Sequence, residues 1–188
     1  MLVEIFSRCF NDSIFYFKAC LPEICFVIVI IFILFILQCI LDKKKLDKNL
    51  IKVVAYEYFI YTLDGVYLTY LYYLTLGMRY VGFVREIKMI PFLEIFTDPL
   101  EIPAMVENFL LFVPYGILMS MTFYDCTKKK VVCRAAVVSL MIEIMQFVFS
   151  CGNTEINDWL LNVIGTVCGC VIMDGIRKIR SRMKRTDI

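Results

Sequence analysis

The sequence predicts an all-α membrane protein, a polytopic helical bundle of about five transmembrane helices. Hydrophobic residues make up 61% of its 188 residues, and a mean hydropathy of +0.76 indicates too little polar surface to cover a soluble globule. Fifteen of the 20 lysines and arginines fall in three stretches that separate or follow apolar runs, at residues 43–52, 128–134 and 177–185. Because cytoplasmic loops are enriched in basic residues, this pattern predicts the N-terminus outside and the C-terminus in the cytoplasm.

The clearest apolar run, residues 24–41, has eighteen residues and no charge. At about 1.5 Å per residue it extends about 27 Å, close to the thickness of a hydrocarbon core. Residues 1–23 interleave aromatic and charged side chains, which predicts a helix lying on the outer interface. Residues 1–50 are therefore interpreted as an N-terminal interfacial segment plus the first transmembrane anchor.

Four further spans are predicted at residues 53–77, 103–124, 131–149 and 158–176. The first of these contains seven tyrosines, of which Tyr61 and Tyr67 lie too deep for an interfacial belt and are expected to face other helices. The outer loop 78–102 is apolar around Pro91, which predicts that it packs back onto the bundle. Residues 51–176 are interpreted as one membrane domain, and residues 177–188 as a basic cytoplasmic tail.

Polar residues inside the predicted spans indicate a functional site. A charged group at the centre of a membrane helix costs about 2.5–3.5 kcal/mol, so such residues face the protein interior or water. Glu143 and Gln146 share one helix face, and Asp158 and Asn162 share another. The predicted topology places all of them in the outer half of the membrane. The candidate ligand-binding residues are Arg85, Glu107, Asn108, Glu143, Gln146, Asp158 and Asn162.

Each polar pair also has a structural alternative. Interhelical hydrogen bonds in membranes contribute about 0.6 kcal/mol each, and Asp158 is also suited to capping a helix N-terminus. The convergence of the pairs at one depth favours a site, for which the mid-depth Asp64 is a weaker candidate. Four residues are assigned to helix packing or a helix kink: Pro114, Gly116, Gly165 and Gly169.

Four short motifs in these regions resemble the VanZ-like family of bacterial membrane proteins. They are Arg85 six residues before Pro91-Phe92, an Asn-Phe-x-x-Phe-x-Pro-x-Gly segment at 108–116, an Ile-Glu-x-x-Gln segment at 142–146, and Asn157-Asp158 followed by Asn162, Gly165 and Gly169. The resemblance covers about residues 67–173. Lys88, Glu155 and Asn157 depart from the family pattern, and the Gly-Arg common before the acidic stretch is absent.

The family is named for a teicoplanin resistance protein. The resemblance implies a multi-pass protein of the bacterial cell membrane with a role in the cell envelope, perturbing access of glycopeptide antibiotics or binding an envelope or lipid-linked ligand. In this interpretation Arg85 contacts an anionic group, Glu143 and Asp158 contact a cationic or hydrogen-donating one, and Asn108, Gln146 and Asn162 orient the ligand. The lipid bilayer is the other expected partner.

Enzymatic chemistry has little support in the residue types. The chain has no histidine, and no metal site or cofactor is predicted. Two alternatives stay open: a membrane enzyme acting on a lipid head group through Glu143 and Asp158, and a structural or partner-binding protein. Topology explains the basic stretches, so no nucleic-acid partner is expected. Most cysteines are expected to be reduced apolar residues, with a bridge among Cys9, Cys20 and Cys151 as an alternative.

Overall fold

The fold is given by a computed structural model that describes residues 2–41, 47–77, 82, 86–93, 101–123 and 127–186. Within these residues it has six α-helices: α1 Leu2–Ala19, α2 Leu21–Leu41, α3 Lys48–Tyr72, α4 Ile102–Thr122, α5 Lys128–Phe149 and α6 Ile156–Thr186. Helix α3 continues into one π-helical turn, Tyr73–Gly77. Two short parallel strands, β1 Ile87–Lys88 and β2 Thr154–Glu155, pair with each other.

The helical membrane bundle predicted from the sequence is confirmed. Four helices of the described chain are long and apolar enough to cross a membrane: α2, α4, α5, and α6 as far as Met183. Helix α3 is 25 residues long but is not among these four. The crossing of the membrane by residues 53–77 therefore stays a prediction.

Helix α3 nevertheless runs alongside most of the length of α4. Near its beginning, Val53 and Tyr56 line a cleft together with Thr122 at the end of α4. Further along, the Tyr67 hydroxyl donates a hydrogen bond to the Leu111 carbonyl. The π-helical turn that follows α3 lines a cavity with residues at the beginning of α4. The two helices are thus antiparallel, as two consecutive helices must be if both span a membrane.

Basic residues from three parts of the described chain lie at one end of the bundle, here named the basic end. It contains the beginning of α3, the beginning of α5 and the end of α6. Lys128 forms an ion pair with Asp174, and the Arg134 guanidinium lies 4.0 Å from the centroid of the Phe123 ring. The Arg177 side chain donates a hydrogen bond to the Ser120 carbonyl. The predicted tail from residue 177 onward is a continuation of α6, up to Thr186.

Helices α4 and α6 make the closest contact in the bundle. A Cβ atom built on Gly165 would overlap the Phe109 carbonyl oxygen, and one built on Gly169 would overlap that of Val113. On the facing helix, a Cβ on Gly116 would overlap the Thr166 carbonyl oxygen. Because these three residues lack side chains, the two backbones touch directly. Buried residues from four helices complete the core: Leu71, Phe112, Tyr115, Met119, Val131, Ala135, Ile142 and Cys170.

The opposite end of the bundle carries α1 and the two strands. Residues 2–19 form the helix predicted there, and the Tyr70 hydroxyl donates to the Ser13 carbonyl at 3.4 Å. The loop packs back as predicted over residues 86–93, where Thr154 N donates to the Glu86 carbonyl at 3.0 Å. Residues 94–100 of that loop lie outside the described part of the chain.

Two of the three cysteines considered for a bridge, Cys20 and Cys151, are buried free thiols. Burial is the main cause that raises the pKa of the Cys20 thiol, and the Glu23 carboxylate raises it further. This thiol therefore stays protonated and poorly reactive at neutral pH. The Cys9 side chain lies outside the described residues.

Candidate ligand-binding site

A polar cavity of about 380 Å³ lies at the opposite end of the bundle. Its walls come from α1, the π-helical turn, the first turns of α4, and the connection from α5 to α6. The polar residues that line it are Tyr16, Thr75, Glu101, Glu107, Asn108, Asn153, Glu155 and Asp158. Three residues predicted from the sequence, Glu107, Asn108 and Asp158, are therefore brought together here.

The cavity wall is acidic. Four of its lining residues are carboxylates, and none of the described lining residues is basic. Lys88 lies beside the cavity, with its Nζ 2.8 Å from Glu155 Oε1 and 3.6 Å from Glu101 Oε1. One ammonium group thus contacts two of the four carboxylates.

The strand pair fixes the position of Lys88. In the parallel register Ile87 lies opposite Thr154 and Lys88 opposite Glu155, which places the ammonium and carboxylate groups within reach of each other. Just beyond β1, the Phe92 backbone N–H donates to Asn157 Oδ1 at 2.8 Å, and Asn157 is 1% exposed. Two residues that depart from the family pattern, Lys88 and Glu155, are therefore ion-pair partners.

Glu143, Gln146 and Asn162 are placed differently, since each is 3% exposed and none lines the cavity. Glu143 Oε2 accepts a hydrogen bond from the Glu155 backbone N–H at 3.0 Å. Gln146 Nε2 donates to the Thr75 carbonyl at 3.0 Å, and Asn162 Nδ2 donates to Ser139 Oγ at 2.9 Å. In two of these bonds the partner residue, Glu155 or Thr75, itself lines the cavity. Glu143 and Gln146 thus support the cavity wall through hydrogen bonds to backbone groups of residues that line it.

Two residues predicted from the sequence remain, Arg85 and Asp64. Arg85 belongs to the residues that the structure does not describe. Asp64 is near the basic end, where it accepts a hydrogen bond from the Thr122 hydroxyl. Sequence reasoning missed five polar residues of the cavity: Tyr16, Thr75, Glu101, Asn153 and Glu155. None of them belongs to a polar pair on a predicted membrane helix, so the pattern used to find the other candidates gave no signal for them.

An apolar groove of about 650 Å³ adjoins the cavity. Leu74, Glu107 and Leu111 line both spaces, so Glu107 stands at their junction. The groove continues between α1, α3 and α4, where its wall includes Phe10 and Pro114. An acidic cavity joined to an apolar groove suits an amphiphile with a polar head and a hydrocarbon chain.

Among the described residues no three carboxylates or thiols are placed to hold a metal ion. The side chains of the cavity offer hydrogen bonds and negative charge to a bound group. The enzyme alternative pairs Asp158 with Glu143, but Asp158 lines the cavity whereas Glu143 binds the Glu155 backbone behind it.

The comparisons with known proteins agree with the motifs. The family model described as VanZ/LLP1 matches residues 65–177, which is more than half of the chain and includes every candidate ligand-binding residue. Protein VanZ from Enterococcus faecium is 28% identical over 103 residues, and the match spans 55% of this chain and 61% of that relative. No solved structure matches the chain. The chain belongs to the VanZ/LLP1 family of proteins.

Proposed function

We propose that this protein binds an amphiphilic component of the bacterial cell envelope with a cationic or hydrogen-donating head group, and that this binding contributes to glycopeptide resistance of the teicoplanin type. The observation that carries the proposal is the continuity of the acidic cavity with the apolar groove at Glu107. The protein acts from the cell membrane as a multi-pass helical bundle, and the cavity faces the extracytoplasmic side.

The chemistry of the two spaces defines the ligand class. The carboxylate oxygens of Glu107 and Asp158 can accept hydrogen bonds from a cationic or hydrogen-donating head group, and Asn108 and Asn153 offer amide hydrogen bonds that orient it. The apolar groove, with Phe10 in its wall, is suited to a hydrocarbon chain. Arg85, by the motif resemblance, contacts an anionic group of the same ligand.

The family supports the biological setting of this binding. Glycopeptide antibiotics act at the outer face of the membrane, where their target must be accessible. A membrane protein that sequesters or rearranges an envelope component on that face reduces antibiotic binding to the cell. This role requires an occupied cavity and needs no chemical turnover.

The test is teicoplanin susceptibility, together with surface labelling by fluorescent teicoplanin, in a Gram-positive host that expresses the full chain. The variants are Glu107→Gln, Asp158→Asn and their combination, each at the membrane level of the wild type. We expect the wild type to raise the inhibitory concentration and reduce labelling, and the double variant to return both to the level of the host alone.

The matched control is Glu86→Gln, because Glu86 is an exposed carboxylate on the same loop that does not line the cavity. It removes the same charge and is expected to keep the wild-type phenotype. Full resistance in the double variant, or the absence of any phenotype for the wild type, would overturn the proposal.

A further inference from the structure

A second cleft, of about 450 Å³, lies at the basic end of the bundle and is separate from the acidic cavity. Helices α3, α4 and α6 form its walls. Its lining combines apolar and aromatic residues, such as Tyr56, Ile60 and Tyr61, with three charged groups, Glu57, Arg177 and Arg180. No residue is shared with the cavity at the opposite end.

The two arginines of the cleft differ in their contacts. Arg177 is held in place, since it donates to the Ser120 carbonyl and lies 3.9 Å from Asp174. Arg180, one turn further along α6, is exposed and has no ion pair or hydrogen bond with a described residue. One guanidinium is therefore fixed against the protein, and the other is available at the mouth of the cleft.

The charge and surface of the cleft indicate its ligand. Two guanidinium groups and the Glu57 carboxylate give the lining a net charge of about +1, which complements one phosphodiester. Ile60 is buried, whereas Tyr56 and Tyr61 are half exposed and present aromatic surface with a hydroxyl tip. Such a surface accepts the glycerol and first methylenes of a lipid chain while the phosphate meets the arginines.

The position of the cleft strengthens this assignment. The described residues that lie at this end include basic residues at the beginning of α3, at the beginning of α5 and at the end of α6, such as Lys52, Lys128 and Arg177. Anionic lipids are drawn to basic segments beside a membrane helix, by about 1 kcal/mol per basic residue. A basic cleft between membrane helices is thus surrounded by the ligand that it is suited to bind.

We propose that this cleft is a specific site for one anionic glycerophospholipid with a single negative charge, such as phosphatidylglycerol. Its phosphodiester lies between Arg177 and Arg180, and its chain lies along the wall formed by Ile60 and Met173. The site is independent of the acidic cavity and of the function proposed for it.

The test is native mass spectrometry of the full chain in detergent, titrated with phosphatidylglycerol, phosphatidylcholine or inorganic phosphate. We expect one tightly bound phosphatidylglycerol per chain and binding of phosphatidylcholine and phosphate that is at least tenfold weaker. In Arg180→Gln, the affinity for phosphatidylglycerol falls about tenfold or more, because one charge-assisted hydrogen bond is lost.

Two further variants distinguish binding of the lipid in the cleft from its general attraction to a basic surface. Arg182→Gln removes the same charge from the same helix outside the cleft and is expected to bind as the wild type does. Val53→Trp keeps every charge but narrows the cleft with a larger side chain, and is expected to weaken binding of the lipid. Equal losses in Arg180→Gln and Arg182→Gln, normal binding by Val53→Trp, or equally tight binding of phosphatidylcholine or phosphate would overturn the proposal.

Discussion

A buried carboxylate, Glu143, connects helix α5 to strand β2. Its Oε2 accepts the backbone N–H of Glu155, whose own side chain lines the cavity and pairs with Lys88. Removing the acceptor of a buried N–H leaves that donor unsatisfied, which costs about 1–3 kcal/mol of stability. Glu143 is therefore a positioning residue, which acts on the cavity through the Glu155 backbone.

Replacing Glu143 tests this role through stability. We expect Glu143→Ala to lower the free energy of unfolding by about 2 kcal/mol, which corresponds to a fall of about 4–8 °C in apparent Tm. Glu143→Gln keeps an acceptor oxygen and should lose less than half of that. Thermal unfolding of the detergent-solubilised protein measures both. With exposed Glu86→Ala as the control, equal melting of Glu143→Ala and the control would exclude a positioning role.

At the scale of elements, the contact between α4 and α6 depends on three glycines. The sequence predicts a small-residue face on the last helix from the Gly165-x-x-x-Gly169 spacing, but it does not identify the helix that the face meets. In the structure this partner is α4, through the carbonyls of Phe109 and Val113. The partner could not be predicted because a spacing of four residues defines only a face, and several apolar helices fit against such a face.

Gly169→Ala tests the α4–α6 contact, with Gly175→Ala as its matched control. An added Cβ at Gly169 would overlap the Val113 carbonyl oxygen, whereas at Gly175 it meets no described atom within 4 Å. Both changes gain about 1 kcal/mol of helix propensity, so their difference isolates the contact. We expect Gly169→Ala to unfold at a lower free energy than Gly175→Ala, by about 1–3 kcal/mol. Indistinguishable melting temperatures in detergent would contradict the close contact.

At the scale of the whole molecule, local composition predicts much of the bundle and little of its long-range pairing. The run at residues 24–41 and the basic stretches are local features, so the sequence predicts α2 and the gathering of basic residues from them. The pairing of Lys88 with Glu155 joins residues 67 positions apart and depends on the β1–β2 register. No periodicity encodes that register, so the acidic cavity could be predicted only in part.

The side of the membrane on which each terminus lies depends on the whole bundle and can be tested. Five crossings place the termini on opposite sides, whereas four crossings without α3 place them on the same side. The antiparallel course of α3 along α4, from Val53 near Thr122 to Thr75 near Asn108, leads us to expect five. In wall-free cells, protease should remove an epitope tag from the N-terminus, and a C-terminal tag should survive until the membrane is permeabilised. Protection or cleavage of both tags together would show that α3 does not cross, and cleavage of both would also place the acidic cavity on the cytoplasmic side.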